Sequence, residues 1–199
     1  MSVTAVRYTR NVGRWQPDAR GRLLKAALEL YGERGFEQTT VAEIAERAGL
    51  TERTFFRHFA DKREVLFAGA GELERLLIST VTQAPDGLAP IEAAAAGVEA
   101  AGAAIQEGGE LPRQRQKIID ASAELQEREL IKLASLASAL TNALRGRGVA
   151  EPAASLAAEA SIAVFRIAFE RWINEADPQD LTRLIRQSLD ELRAVTAAR

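Results

Sequence analysis

Apolar residues recur along this chain at steps of three and four and nowhere alternate with period two, so the pattern predicts an all-α fold. From Arg22 to Arg34, Leu23, Ala26, Ala27, Leu30 and Tyr31 form one stripe, and Gly35 stops the helix. Val41, Ile44, Ala45 and Ala48 form a second, shorter stripe. Thr40 followed three residues later by Glu43 is a capping box: the hydroxyl takes an orphan amide and the glutamate reaches back to the amide of the cap. Gly49 ends that helix, because glycine takes the left-handed conformation without a side-chain clash. Thr51 caps the next helix, with Phe55 and Phe59 on its buried side and Glu52, Arg53, Thr54, Arg57 and His58 on its open side. Asp61 and Glu64 repeat the capping-box spacing. They predict a helix running through Val65, Leu66, Phe67, Leu73, Leu76, Leu77 and Val81 to the breaker Pro85-Asp86-Gly87.

Beyond Pro90 the pattern predicts an alanine-rich helix to about Gln106, a loop at Gly108-Gly109 and Pro112, and a long helical stretch from Arg113 to Leu144 with room for one break. Gly146 and Gly148 end it. Glu151-Pro152 opens another helix, carrying Leu156, Ala160, Ala163, Val164, Ile167, Phe169, Trp172 and Ile173, which Asp177-Pro178 ends. Leu181, Leu184, Ile185, Leu189, Leu192 and Val195 mark the last one. These final two helices are apolar over broader arcs than one partner helix requires, which marks either an interface or a filled monomer core.

A helix, a glycine-containing turn and a short second helix with basic groups facing out make a helix-turn-helix unit, whose second helix enters the major groove of DNA. The segment is more specific than that bare pattern. Gly35-Phe36, Thr39-Thr40, Ile44-Ala45, Ala48-Gly49, Phe55-Phe56, His58-Phe59 and Lys62 closely resemble the DNA-binding domain of the tetracycline-repressor (TetR) family over Asp18 to Phe67. The resemblance implies a DNA-binding domain over 17–67, behind a basic N-terminal arm over 1–16. It implies an effector-binding and dimerisation domain over 68–199, in which the last two helices pair with their copies in a four-helix bundle. Phe165, Phe169 and Trp172 are the expected interface residues. The implied function is transcriptional regulation, chiefly repression, by a homodimer on a palindromic operator, released by a small-molecule effector. The rival reading is a helix-turn-helix protein that acts by protein contact or by binding DNA without sequence preference.

Within the second helix of the unit, Arg53 and Arg57 are candidate base readers, since a guanidinium can give two parallel hydrogen bonds to guanine. Either also suits a phosphate. Thr51 and Glu52 are candidate secondary readers, with Glu52 equally suited to the helix dipole. The resemblance implies phosphate contacts from Thr40, Thr54, Phe56, His58 and Lys62. Phe56 departs from the family pattern, where tyrosine is usual; lacking a hydroxyl, it retains only packing against the sugar–phosphate surface, or a place in the core.

Charge divides unevenly. Met1 to Phe67 carries 12 Lys/Arg against 9 Asp/Glu, whereas the whole chain of 199 residues has a net charge of −2, so the front is basic and the body acidic. Arg7, Arg10 and Arg14 precede the first helix as either a solvated terminus or an arm for the minor groove. Arg113, Arg115 and Lys117 are either a solvated helix start or a site for an anionic ligand. With no cysteine and His58 as the only histidine, no thiolate metal site and no disulfide exists, and neither metal, cofactor nor enzymatic activity is expected. No apolar stretch is long enough for a bilayer and the first residues lack a signal-peptide core, so a cytoplasmic location is expected.

Overall fold

The computed structural model describes residues 18–175 and 180–197. Every element among them is helical: α1 (Ala19–Arg34), α2 (Val41–Arg47), α3 (Glu52–His58), a 3-10 turn (Glu64–Phe67), α4 (Ala70–Gln83), α5 (Pro90–Gln106), α6 (Leu111–Asp120), α7 (Ala123–Gly146), α8 (Ala153–Asn174) and α9 (Leu181–Thr196). The arginines of the N-terminal arm and the Asp177-Pro178 breaker lie outside the described residues. No described helix is long and apolar enough to cross a membrane.

α1 starts three residues before the predicted Arg22, because the Asp18 carboxylate accepts from the Arg20 amide at 3.0 Å and caps it there. The predicted continuous helix from Asp61 is corrected. Asp61 does cap, accepting from the amides of Arg63 and Glu64, but the chain then forms a 3-10 turn, and α4 starts only at Ala70. The reciprocal half of the capping box fails because the Glu64 carboxylate turns away to Arg128 and Lys132 of α7. The long stretch after Arg113 is likewise two helices, broken at Ala121-Ser122.

Two apolar cores result. The first gathers Leu23, Leu30 and Tyr31 of α1, Ile44 of α2, Phe55 of α3, Phe59 and Val65–Phe67, together with Ile119 of α6 and Leu125 of α7. Thus α6 and the start of α7 seal the underside of the helix-turn-helix. The second core joins α4, α5, α7, α8 and α9 through Leu77, Val98, Leu140, Ile162, Leu184 and Ile185. α5 sits at its centre and is thin. A Cβ on Gly97 would lie 2.9 Å from Val81 Cγ2 and 3.2 Å from the Leu77 carbonyl oxygen, and one on Gly102 would lie 2.5 Å from Ile185 Cδ1. Alanine and glycine therefore let α4 and α9 approach the α5 backbone.

Of the expected interface aromatics, Trp172 is buried within one chain, and Phe165 and Phe169 are half-buried. Phe165 and Phe169 stack at 5.8 Å, Phe169 meets Trp172 at 5.9 Å, and Trp172 is 3% exposed within one chain. Arg113 of α6 covers the indole at 4.5 Å and donates from Nη2 to the Trp172 carbonyl at 2.7 Å. The apolar side chains that α8 leaves outward are Leu156, 66% exposed, and Ile167, 49% exposed.

Candidate nucleic-acid interface

The reading unit is assembled from caps. The Thr40 hydroxyl oxygen accepts from the Glu43 amide at 3.3 Å, and the Glu43 carboxylate accepts from the Thr40 amide at 2.9 Å, so the capping box at the start of α2 is complete. These hydrogen bonds from the Thr40 amide and hydroxyl hold the Glu43 carboxyl below the usual range. At the far end of α2, Gly49 has φ +64°, its amide donates to the Glu46 carbonyl at 2.9 Å, and the Leu50 amide donates to Ala45 at 2.8 Å. Thr51 then caps α3 by accepting from the Thr54 amide at 3.2 Å.

α3 is held from one side only. Phe55 and Phe59 are buried against α1, packed on each other at 5.6 Å, while Thr51, Glu52, Arg53, Phe56 and Arg57 are exposed. Thr54 and His58 are half-buried beside them, with His58 Nε2 3.5 Å from the Arg57 guanidinium. The candidate base readers thus share the open face of one short helix with most of the candidate phosphate contacts. Phe56 stands outside the core at 55% exposed, edge-on to Phe55 at 5.5 Å. Thr40 is exposed at the start of α2, where its amide and hydroxyl both donate to the Glu43 carboxylate at 2.9 Å.

Lys62 has another task. Its ammonium donates to the carbonyls of Phe36 at 2.9 Å, Thr39 at 3.1 Å and Glu37 at 3.4 Å, and lies 4.3 Å from the centre of the Phe36 ring. All three of its protons are directed at the α1–α2 loop. The Tyr31 hydroxyl in turn donates to the Lys62 carbonyl at 2.7 Å, and burial, helped by Asp61, pushes the phenol pKa up. Sequence reasoning put Lys62 at a phosphate; in the structure its ammonium braces the α1–α2 loop.

Two clusters, built on Arg115 and Glu64 with partners that sequence reasoning did not supply, connect this unit to the body. Arg115 of α6 donates to the Leu66 carbonyl at 2.7 Å and to Glu129 at 3.0 Å, and lies 4.9 Å over Phe67. Burial pulls its guanidinium pKa down while Glu129 opposes the shift. Neither Arg113 nor Arg115 therefore sits on a solvated helix start, and only Lys117 of that basic cluster is exposed. Glu64 accepts from Arg128 Nε at 2.6 Å and from Lys132 at 3.0 Å. Partners 64 and 68 residues apart leave no local signal in a sequence.

No group of three or more His, Cys, Asp or Glu that could hold a metal occurs among the described residues. Grooves on the body are open: one of 490 Å³ lies between α4 and α7, lined by Glu74, Ile78, Thr82, Ala139, Asn142, Ala143 and Gly146.

Comparison with known proteins agrees with this geometry. Residues 23–68 match the model for bacterial regulatory proteins of the tetR family, and residues 88–197 match that for the MftR C-terminal domain. The transcriptional regulator TcmR of Streptomyces glaucescens is 39% identical over 74 residues, 37% of this chain and 33% of that protein. The transcriptional repressor KstR2 of Mycobacterium tuberculosis is 43% identical over 47 residues, 24% of each. The chain thus aligns with a third or less of the length of these curated relatives. Over nearly the full length the fold is shared with SmeT in its triclosan complex (TM-score 0.62, 24% identity, 89% of this chain and 90% of that one). It is shared too with the fatty acid degradation regulator FadR from Bacillus halodurans (TM-score 0.63, 20% identity, 91% and 97%). With its helix-turn-helix and its helical body each matched, and the body alone spanning more than half of the sequence, the chain belongs to the TetR family of transcriptional regulators.

Proposed function

We propose that the protein is a homodimeric repressor that reads a palindromic operator with α3 and leaves it when a small-molecule effector binds the body. The observation that carries this reading is the division of α3: Phe55 and Phe59 fix it to α1, while Arg53 and Arg57 stand exposed on the opposite face. A short helix so presented fits the major groove, and a twofold dimer places two of them on half-sites about one helical turn apart or somewhat more. Arg53 and Arg57 read bases, with Thr51 and Glu52 at the helix start as secondary readers. Thr40, Thr54 and His58 hold phosphates, and Phe56 packs on the sugar–phosphate surface. Lys62 contributes through the shape of the loop it braces.

Dimerisation supplies the symmetry. The outward apolar side chains Leu156 and Ile167 of α8 are the contacts we assign to it, with Phe165 and Phe169 supporting them from behind. A dimer straddling an operator blocks polymerase without further contacts, which favours repression. Effector binding acts by differential affinity for DNA-competent and incompetent arrangements of the two units.

Selection of bound duplexes from a random pool tests the reading. A recovered palindrome with two equal half-sites is the expected result. Recovery of unrelated sequences, or of none, would instead point to non-specific binding or to a protein-contact role for the helix-turn-helix.

A further inference from the structure

We propose that Arg22 is a positioning residue for α3: from α1 it caps the carbonyl end of α2 and so fixes the angle at which the recognition helix meets DNA. The proposal rests on the reading of α3 as a sequence-specific helix.

α2 has only seven residues, so its end carbonyls are a large share of its hydrogen-bonding groups. The Gly49 and Leu50 amides satisfy the carbonyls of Glu46 and Ala45. The carbonyls of Ala48 and Gly49, in the turn itself, are met by Arg22, whose Nη2 donates to Ala48 and reaches Gly49 at 3.3 Å. Other arginines nearby lie against carboxylates, Arg34 on Glu43 and Arg47 on Glu33. The Arg22 guanidinium is directed at carbonyls, where a positive charge also opposes the negative end of the helix dipole.

Gly49 is shaped to receive it. Apart from requiring φ +64°, a Cβ at this position would stand 2.7 Å from Arg22 Nη2, so the cation occupies the space that glycine leaves. The backbone torsions from Ala48 to Thr51 set the angle between α2 and α3, and α3 has only Phe55 and Phe59 to hold it from below. A guanidinium bridging two consecutive carbonyls of that turn removes a hinge. Arg20, two residues earlier, donates to the Ala68 carbonyl and lies 5.6 Å from the centre of the Phe59 ring, so α1 grips the unit at both ends.

The test compares wild type, Arg22→Met and Arg22→Lys on the palindrome recovered by selection and on random duplex, at several salt concentrations, with amide exchange at Gly49 and Leu50 measured on the free protein. Arg22→Met is expected to lose about tenfold in affinity for the palindrome, the scale of one misaligned bidentate base contact. Its affinity for random duplex and its salt slope stay at the wild-type values, exchange at Gly49 and Leu50 accelerates, and Arg22→Lys recovers part of each loss. Equal losses on both duplexes with the salt slope reduced by about one would make Arg22 a phosphate contact and overturn the proposal. So would a lowered Tm with palindrome affinity intact, or exchange at Gly49 and Leu50 unchanged. A wild type that selects no preferred sequence would refute the reading of α3 itself, and the exchange data would still show whether Arg22 holds the turn.

Discussion

Lys132 of α7 donates to the Glu64 carboxylate at 3.0 Å across 68 residues of chain, and so ties the segment beyond the recognition helix to the body. Arg128 takes the other carboxylate oxygen, Arg63 pairs with Glu124 at 3.0 Å, and Arg115 holds the Leu66 carbonyl. These contacts tie the helix-turn-helix to α6 and α7, and on the proposed function they are the route by which a shift of α7 would reach α3.

Glu64→Gln should lower stability at neutral pH by about 1–3 kcal/mol, because it leaves Arg128 and Lys132 partly buried without their shared anion. Burial alone would raise the Glu64 pKa, but hydrogen bonds from Lys132 and Arg128 outweigh it and hold the folded value below the ordinary glutamate range. A depressed carboxylate contributes stability above its unfolded pKa and loses it as pH falls through the folded one. Denaturant titrations should accordingly show wild type and variant well separated at pH 7 and converging below about pH 4. A constant gap at every pH would show that the charge of Glu64 is not what matters.

The same residue marks the boundary of what the sequence discloses. Thr40 and Glu43 form their capping box because both partners lie three residues apart and Arg34, the cation paired with Glu43, takes Oε1 and leaves Oε2 to the Thr40 amide. Asp61 and Glu64 have the same spacing, yet two cations from α7 draw Glu64 outward and the expected helix becomes a 3-10 turn. Gly49, Thr51, Phe55 and Phe59 were legible for the reason Thr40 was: cap, turn and stripe are all local. The inward turn of Trp172 under Arg113, the brace from Lys62 and the sealing of the first core by Ile119 depend on approaches between distant helices, which periodicity does not encode.

Lys62→Met should lower the melting temperature of the protein, since three loop carbonyls lose their donor, at about 1–3 kcal/mol for a buried or partly buried set. Its salt slope on DNA should stay near the wild-type value. A slope reduced by about one, with the melting temperature unchanged, would return Lys62 to a phosphate.

Charging α8 separates the interface from the core. Ile167→Lys should shift the protein from dimer to monomer in sedimentation equilibrium while each chain stays folded. Trp172→Ala should instead destabilise the body itself, by about 3–5 kcal/mol, because the indole is enclosed within one chain. The reverse pattern would place the interface on the aromatic ladder.

Gly97→Val should destabilise the body by about 1–3 kcal/mol, since the added atoms meet Val81 and the fixed backbone of Leu77 and must push α4 from α5. Because α4 leads back to the 3-10 turn, affinity for DNA should fall with it. Calorimetry and a binding titration on the same sample check both; wild-type stability would show that α4 and α5 have slack between them.

Whether α3 reads sequence through its exposed arginines is decided by Arg53→Ala. Wild type and variant are titrated against the selected palindrome and its single-base variants at two salt concentrations. A loss of about 1–3 kcal/mol on the palindrome is expected, with relaxed preference at one position of each half-site and an unchanged salt slope. An equal loss on every duplex, with the slope lowered by about one, would make Arg53 a phosphate contact and refute base reading by this residue.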